Sequence, residues 1–217
     1  MSNFDSRVIV SSKKIKIYPL ENLLDRFDSI KLRCARIESI SREFKFIPET
    51  TITIDDKELR YEQDFVMRKS LRLLDMTEKI RVLERFADDL EALRKERFIH
   101  GDIHRGNIIH DGYRLNLIDF EPSLRQVRKG RKVVVSMSSV RSLNDRKRRK
   151  VSLEADKIGF MRCAMRILVG RSDRIVLPIE EAELVGMEYR EVLGVLSHKL
   201  GPRNYSNQEQ VSAKRKS

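Results

Sequence analysis

No glycine occurs before Gly101 in this 217-residue chain. A loop that folds its backbone over phosphates needs residues without Cβ, so the first hundred residues carry no glycine-rich phosphate loop. Cysteine is nearly absent as well. Cys34 and Cys163 are the only two, far apart and without metal-ligand spacing, which predicts two free thiols rather than a disulfide or a metal centre. No apolar stretch approaches the roughly 18–20 residues that span a bilayer. The run Val8-Ile9-Val10 is too brief for the apolar core of a signal peptide. The expectation is a cytoplasmic protein, in peripheral contact with an anionic inner membrane face at most.

What the chain does have is charge. Hydrophobic residues make up 40% and charged residues 36%, with a net charge of +12. That balance describes a globular protein able to bury a core, and it favours anionic partners such as a phosphorylated glycolipid, a membrane surface, nucleic acid or an acidic protein. The densest block runs from Arg125 to Lys150, with eleven Lys or Arg residues against the single acid Asp145. It holds no aromatic residue, so base stacking is not suggested and sequence-specific recognition of nucleic acid is disfavoured.

The patterning predicts an α+β protein. Short β-like runs occur at Val8–Val10 and Ile15–Tyr18, and helix-spaced apolar residues run from Leu20 to about Ile40. Thr51–Ile54 alternates with period two, Asp55-Asp56-Lys57 signals a turn, and Leu59 to Phe65 reads as the next strand. The clearest helix spans Asp75 to Phe98, with an apolar stripe from Ile80 to Leu93 and a capping box formed by Asp75 and Glu78. Another spans about Ser152 to Leu168. The tail from Ser206 to Ser217 is polar and basic, and predicts disorder.

Between the two long helices lies the string His100-Gly101-Asp102-Ile103-His104-Arg105-Gly106-Asn107, followed by Leu115-Asn116-Leu117-Ile118-Asp119-Phe120-Glu121-Pro122. A loop presents Asp102 and Asn107. Two strand-like runs then flank the hairpin signal Asp111-Gly112, and Asp119 stands at the end of the second. Phosphoryl transfer asks mainly that an acceptor hydroxyl be oriented and phosphate charge be neutralised. One aspartate can accept the hydroxyl proton, while a loop Asn and a second Asp are oxygen donors suited to a hard cation. Asp and Asn also favour ordinary turns, but three of them at this spacing beside two apolar strands argue for chemistry.

These residues resemble the protein-kinase-like superfamily. The interval from Asp102 to Asn107 matches the kinase catalytic loop, and Asp119-Phe120-Glu121 stands where kinases have Asp-Phe-Gly. The His-Gly-Asp-x-His-x-x-Asn form is similar to an atypical bacterial branch with lipopolysaccharide core kinases, aminoglycoside phosphotransferase-like enzymes and RIO-like kinases. Within it, Gly-Asp-x-His-Arg-Gly-Asn looks most like the small core heptose kinases. The resemblance implies a truncated two-lobed kinase-like fold, with a small antiparallel β-rich lobe over residues 1–65 and a mostly helical lobe over 66–205. The disordered tail would occupy 206–217. It also implies ATP and Mg2+ as cofactors, Asp102 as catalytic base, Asn107 and Asp119 as metal ligands, and Asp156 as buttress of the loop.

Upstream, the same resemblance asks for a strand lysine on the phosphates and a helix acid paired with it. Lys16 is the candidate lysine, and Glu38 the acid, with Asp28 and Glu21 as rivals. Gln63-Asp64-Phe65 is the expected hinge, meeting adenine through the backbone of Asp64 and Phe65. Two departures stand out, the missing glycine-rich loop and Glu121 in place of glycine. A minimal kinase covering its nucleotide differently, a chain that begins after the usual first hairpin, and a kinase-fold binding module all remain open at this stage.

The acceptor expected first is a hydroxyl of a lipopolysaccharide core sugar, because Arg125–Lys150 falls where kinases hold their substrate. A minimal Ser/Thr protein kinase is the alternative favoured by the serines Ser136, Ser138, Ser139, Ser142 and Ser152. A non-catalytic module for an anionic partner is the alternative favoured by the missing glycines.

Overall fold

The structure is a computed structural model that describes residues 12–20, 27–120, 124–128, 131–135, 153–169, 179, 183 and 186–200. The strand expected at Val8–Val10, the rival acid Glu21, Glu121-Pro122, the serines from Ser136 to Ser152 and the tail from Ser206 lie outside the described residues.

Strand β1 (Lys13–Pro19) pairs antiparallel with β3 (Glu58–Asp64), which pairs antiparallel with β2 (Thr50–Ile54), so the hairpin partner β3 is central. Asp55 closes the β2–β3 hairpin, its carboxylate accepting the amides of Lys57 and Glu58 at 2.7 Å each. Every second residue of β3, namely Leu59, Tyr61 and Gln63, is buried, as a strand packed on one face requires. Helix α1 (Phe27–Glu43) covers this face with Ile30, Cys34, Ile37 and Ile40, spaced three and four apart. The sequence places that helix from Leu20 to about Ile40; its described part instead continues to Glu43.

Helix α2 (Met76–Lys95) has the expected capping box, with Glu78 N–H donating to Asp75 at 2.8 Å and Asp75 N–H donating to Glu78 at 2.9 Å. It ends three residues before Phe98, where Arg97 turns into the left-handed region at φ 54°. The hairpin β4 (Ile108–His110) and β5 (Leu115–Leu117) follows the catalytic-loop string. The first part of the basic block forms a second hairpin, β6 (Leu124–Arg128) with β7 (Arg131–Val135). Helices α3 (Leu153–Val169) and α4 (Tyr189–Leu200) complete the described fold.

One core runs through both parts. Phe46, at the α1–β2 connection, packs edge-on against Phe86 of α2 at 6.1 Å; Phe86 meets Phe160 of α3 at 6.2 Å, and Phe160 meets Tyr189 of α4 at 5.3 Å. The Leu117 amide donates to the Phe46 carbonyl at 2.9 Å, tying β5 to the N-terminal sheet side. Arg36 of α1 reaches the Glu96 carbonyl at 2.8 Å. The sheet is therefore set against the loop that carries Asp102. Both cysteines are free and buried. No described helix is long and apolar enough to cross a membrane.

Candidate active site

The loop from His100 to Asn107 is held from below by α3. Both Asp156 carboxylate oxygens accept backbone amides, from His100 at 2.8 Å and from Gly101 at 2.7 Å. Burial pushes the Asp156 carboxyl up to about 7, with the two amides opposing and the charge of Asp102 adding to the rise. One turn along the same helix, Gly159 leaves room for the loop: a Cβ there would lie 2.3 Å from the Ile103 carbonyl oxygen. Gly101 takes φ 79° at the turn, a conformation that a Cβ disfavours.

His100 is a structural pin. Its Nε2 lies 2.9 Å from the Ile118 carbonyl, and its Nδ1 accepts the Asp102 amide at 3.1 Å. Those two contacts define the neutral Nε2–H tautomer, in keeping with burial, which lowers this imidazole below its ordinary value. The edge-to-face packing of His100 on Phe120 at 4.6 Å ties the loop to the Asp119 strand end. Asn107 is fixed through its backbone to His104 and Ile118, at 2.9 Å each. Its Nδ2 donates to the Asp102 carbonyl at 3.0 Å and lies 3.4 Å from the Asp102 carboxylate. His104 Nε2 lies 3.4 Å from the same carboxylate oxygen, while its Nδ1 accepts the Gly106 amide at 2.9 Å. The Asp102 side chain keeps 29% of its surface accessible.

Asp119 faces it from the strand end. Its backbone sits at φ 66°, which costs a non-glycine residue about 1–2 kcal/mol. Lys14 Nζ contacts one carboxylate oxygen and Lys16 Nζ lies 3.6 Å from the other. Burial pushes this carboxyl upward, but the two lysines outweigh it and hold Asp119 below its ordinary value. Lys16 is lowered by burial, with Asp119 opposing. Lys14 and Lys16, two apart on β1, share a face, and in register they stand beside Gln63 and Tyr61 of β3. Gln63 Oε1 accepts the Asp119 amide at 3.1 Å.

The sequence-predicted residues thus divide. Asn107 meets Asp102, Lys16 meets Asp119 and lies within electrostatic reach of Asp102, and Asp156 holds the loop that carries Asp102. Glu38 does not join them: it accepts the Ile52 amide at 2.7 Å and pairs with Arg42 at 3.4 Å, whereas the acid on Lys16 among the described residues is Asp119. Glu38 lies on the α1 face that seals the β2 edge, so its carboxylate satisfies backbone rather than a lysine. Asp64 ends β3 and Phe65 follows it, and their amides donate to the Glu49 and Ser12 carbonyls at 2.9 and 3.0 Å. Both hinge donors are therefore taken by protein carbonyls. Sequence reasoning does not foresee the contact of Lys14 with Asp119, and it assigns Gln63 to the hinge rather than to the Asp119 amide. Strict alternation along β1 and β3 is the signal that could have found them, since each lies two residues from a site residue or a core residue of its strand.

No group of three or more His, Cys, Asp or Glu side chains among the described residues could hold a metal. A kinase-type cation needs fewer protein ligands, because substrate phosphates complete its shell. Asp119, kept ionised by its lysines, and the side-chain oxygen of Asn107, whose nitrogen is given to Asp102, make an all-oxygen pair that fits a hard cation.

The sequence pattern of a phosphotransferase enzyme family, APH, matches residues 35–125, which includes Asp102, Asn107 and Asp119. No curated protein matches the chain. Among solved structures, the fold resembles the PknI kinase domain of M. tuberculosis at 16% identity and TM-score 0.58, over 87% of this chain and 85% of that one. It also resembles the PK-1 kinase of the Cydia pomonella granulovirus at 14% identity and TM-score 0.51, over 84% of this chain and 69% of that one. The fold is that of the protein kinases.

Proposed function

We propose that the protein is an ATP- and Mg2+-dependent phosphotransferase in which Asp102 accepts the proton of an acceptor hydroxyl. The observation that carries this reading is that Asn107 meets Asp102, Lys14 and Lys16 meet Asp119, and Lys16 lies within electrostatic reach of both carboxylates.

Asn107 and Asp119 would hold the cation, which neutralises phosphate charge when bound. The chain's own residues do the rest. Asn107 Nδ2 fixes the Asp102 carboxylate, leaving it exposed toward an incoming hydroxyl. Lys16, already directed at the cleft, is placed to receive the phosphates of the nucleotide, and Lys14 can keep Asp119 neutralised when Lys16 turns away. Asp156 and Gly159 stop the loop from drifting, and misplacement of a base by about 1 Å can cost on the order of 100-fold in rate.

The acceptor favoured is a hydroxyl of a lipopolysaccharide core sugar. Its support is the heptose-kinase-like phrase around Asp102, the APH match and the net charge of +12. The test is phosphate transfer from γ-labelled ATP by wild type and Asp102→Ala, offered a lipopolysaccharide extract and, separately, a protein mixture. Label in the glycolipid that disappears in the variant supports the reading; equal label from both proteins overturns the role of Asp102. Label in protein instead would establish a protein kinase, and no magnesium-dependent nucleotide binding would leave a binding module.

A further inference from the structure

The segment after β3, α2, the loop at Arg105, β4 and α3 line a cavity of about 500 Å³ that opens to solvent, within the size range of small-ligand sites. Its rim is strongly basic. Arg68, Lys69 and Arg72 come from the segment after β3, Lys79 from α2, Arg105 from the catalytic loop and Arg166 from α3. No described acidic residue lines it. None of these six cations forms an ion pair with a described acid, although elsewhere Arg42, Arg60, Arg94 and Arg190 do. Leu71, Ile108 and Ile167 supply an apolar floor.

A second observation points the same way. His110 lines the cavity, is 97% buried (3% exposed), and neither ring nitrogen has a hydrogen-bond partner. An unsatisfied buried polar group costs about as much as a lost hydrogen bond, so a ligand able to accept or donate there would relieve it. The wall beside it is rigid, because the Lys69 amide donates to the His110 carbonyl at 2.7 Å.

From the cation set and the apolar floor we infer that this cavity binds a phosphate ester on a sugar, as the anion subsite of the acceptor. Four of the six cations are arginines, whose planar forks match phosphate oxygens in pairs, and the floor suits the body of a compact ring. Arg105 is three residues from Asp102, so their Cα atoms are at most about 11 Å apart. A phosphate seated at Arg105 thus leaves a sugar-sized distance to the proton-accepting carboxylate. The assignment of the acceptor role rests on the phosphotransferase reading above; the ligand class does not.

The test measures calorimetric binding of a hexose bisphosphate and of the parent hexose to the nucleotide-free full chain. Wild type is compared with Arg72→Gln/Arg166→Gln and with a charge-matched control, Lys45→Gln/Lys57→Gln, whose side chains lie at exposed sites away from the cavity. The expected result is binding of the bisphosphate but not the hexose, weakened about tenfold or more in the cavity variant, as loss of charge-assisted hydrogen bonds predicts, and unchanged in the control. Equal affinity in the two double variants would mean attraction to net charge alone and would overturn the site, as would no bisphosphate binding by wild type. Arg105→Gln is the second cavity variant, should the first lose its cooperative melting transition. If binding depends on Arg72 and Arg166 while wild type transfers no label under any condition, the phosphotransferase reading and the acceptor role fall and the sugar-phosphate site stands. If label is transferred and binding ignores the arginines, the cavity assignment falls alone.

Discussion

Gln63 and Asp119, 56 residues apart, meet through one hydrogen bond: the Asp119 amide donates to Gln63 Oε1 at 3.1 Å. The orientation of the Gln63 amide follows from its partners. Its Nε2 donates to Thr50 Oγ1 at 3.1 Å, and of the two Gln63 side-chain polar atoms only the oxygen can accept the Asp119 N–H. In register, Thr50, Gln63 and Lys14 form one row across the three strands. That row delivers both the acceptor for the Asp119 amide and a cation for its carboxylate, and so places a left-handed residue that local sequence alone would not hold.

Replacing Gln63 with Ala should therefore loosen Asp119. The buried Asp119 amide and Thr50 hydroxyl each lose a partner, which costs about 1–3 kcal/mol, read as a lower urea midpoint. Phosphate transfer should fall by more than the folded fraction does. Unchanged transfer per folded molecule would show that Asp119 is placed without the row.

The two lysines should separate in function. Lys16→Met should lower phosphate transfer by about tenfold or more, as removal of a charge-assisted contact to phosphate predicts. Lys14→Met should leave nucleotide affinity closer to wild type, since Lys16 still reaches Asp119. Nucleotide titration of both variants checks the order, and the reverse order would make Lys14 the phosphate-binding lysine. Asp119→Ala is the harsher change, because it removes the carboxylate that both lysines share.

Gly159→Ala tests the seat of the catalytic loop. In a free helix this change gains up to about 1 kcal/mol. Here the added methyl would meet the Ile103 carbonyl at 2.3 Å, and overpacking costs about 1–3 kcal/mol. The net expectation is a lower melting temperature together with lost transfer. A more stable, fully active variant would show that the loop can retreat.

Asp156 sets a pH dependence whose sign is opposite to that of an ordinary paired carboxylate. Its folded value is raised to about 7, against an unfolded value of about 3.9. Between those values the folded protein holds a proton that the unfolded chain has released. This contribution is fully present below about pH 4 and is lost as pH rises to about 7. His100 and His110, both lowered by burial, act the other way below about pH 6.5, with stability present above it. Urea midpoints for wild type and Asp156→Asn between about pH 3.5 and 8, which bracket about 4 to 7, cancel the histidines. The wild-type midpoint should fall relative to the variant as pH rises, and parallel curves would show that Asp156 is ionised throughout.

Much of the site can be read without the fold because the residues that need one another are close in sequence. Asp102 and Asn107 lie within one loop, and Asp119 follows a hairpin whose Asp111-Gly112 turn is visible in the string. The capping box of α2 is equally local. The pairing of Lys16 is not: a lysine on a strand can meet any acid that packing brings near, and packing chose Asp119 over Glu38. The basic cavity is the extreme case, since its cations come from four separate stretches between Arg68 and Arg166.

The sequence by itself determined the loop that presents Asp102 and Asn107 and the strand and helix periods, because each depends on spacings shorter than one element. Only the tertiary structure decided what neutralises Asp119, what aims Gln63 and where unpaired arginines gather. Those depend on burial and on charges brought together across scores of residues, and Coulomb and desolvation energies follow distance in space, not separation along the chain.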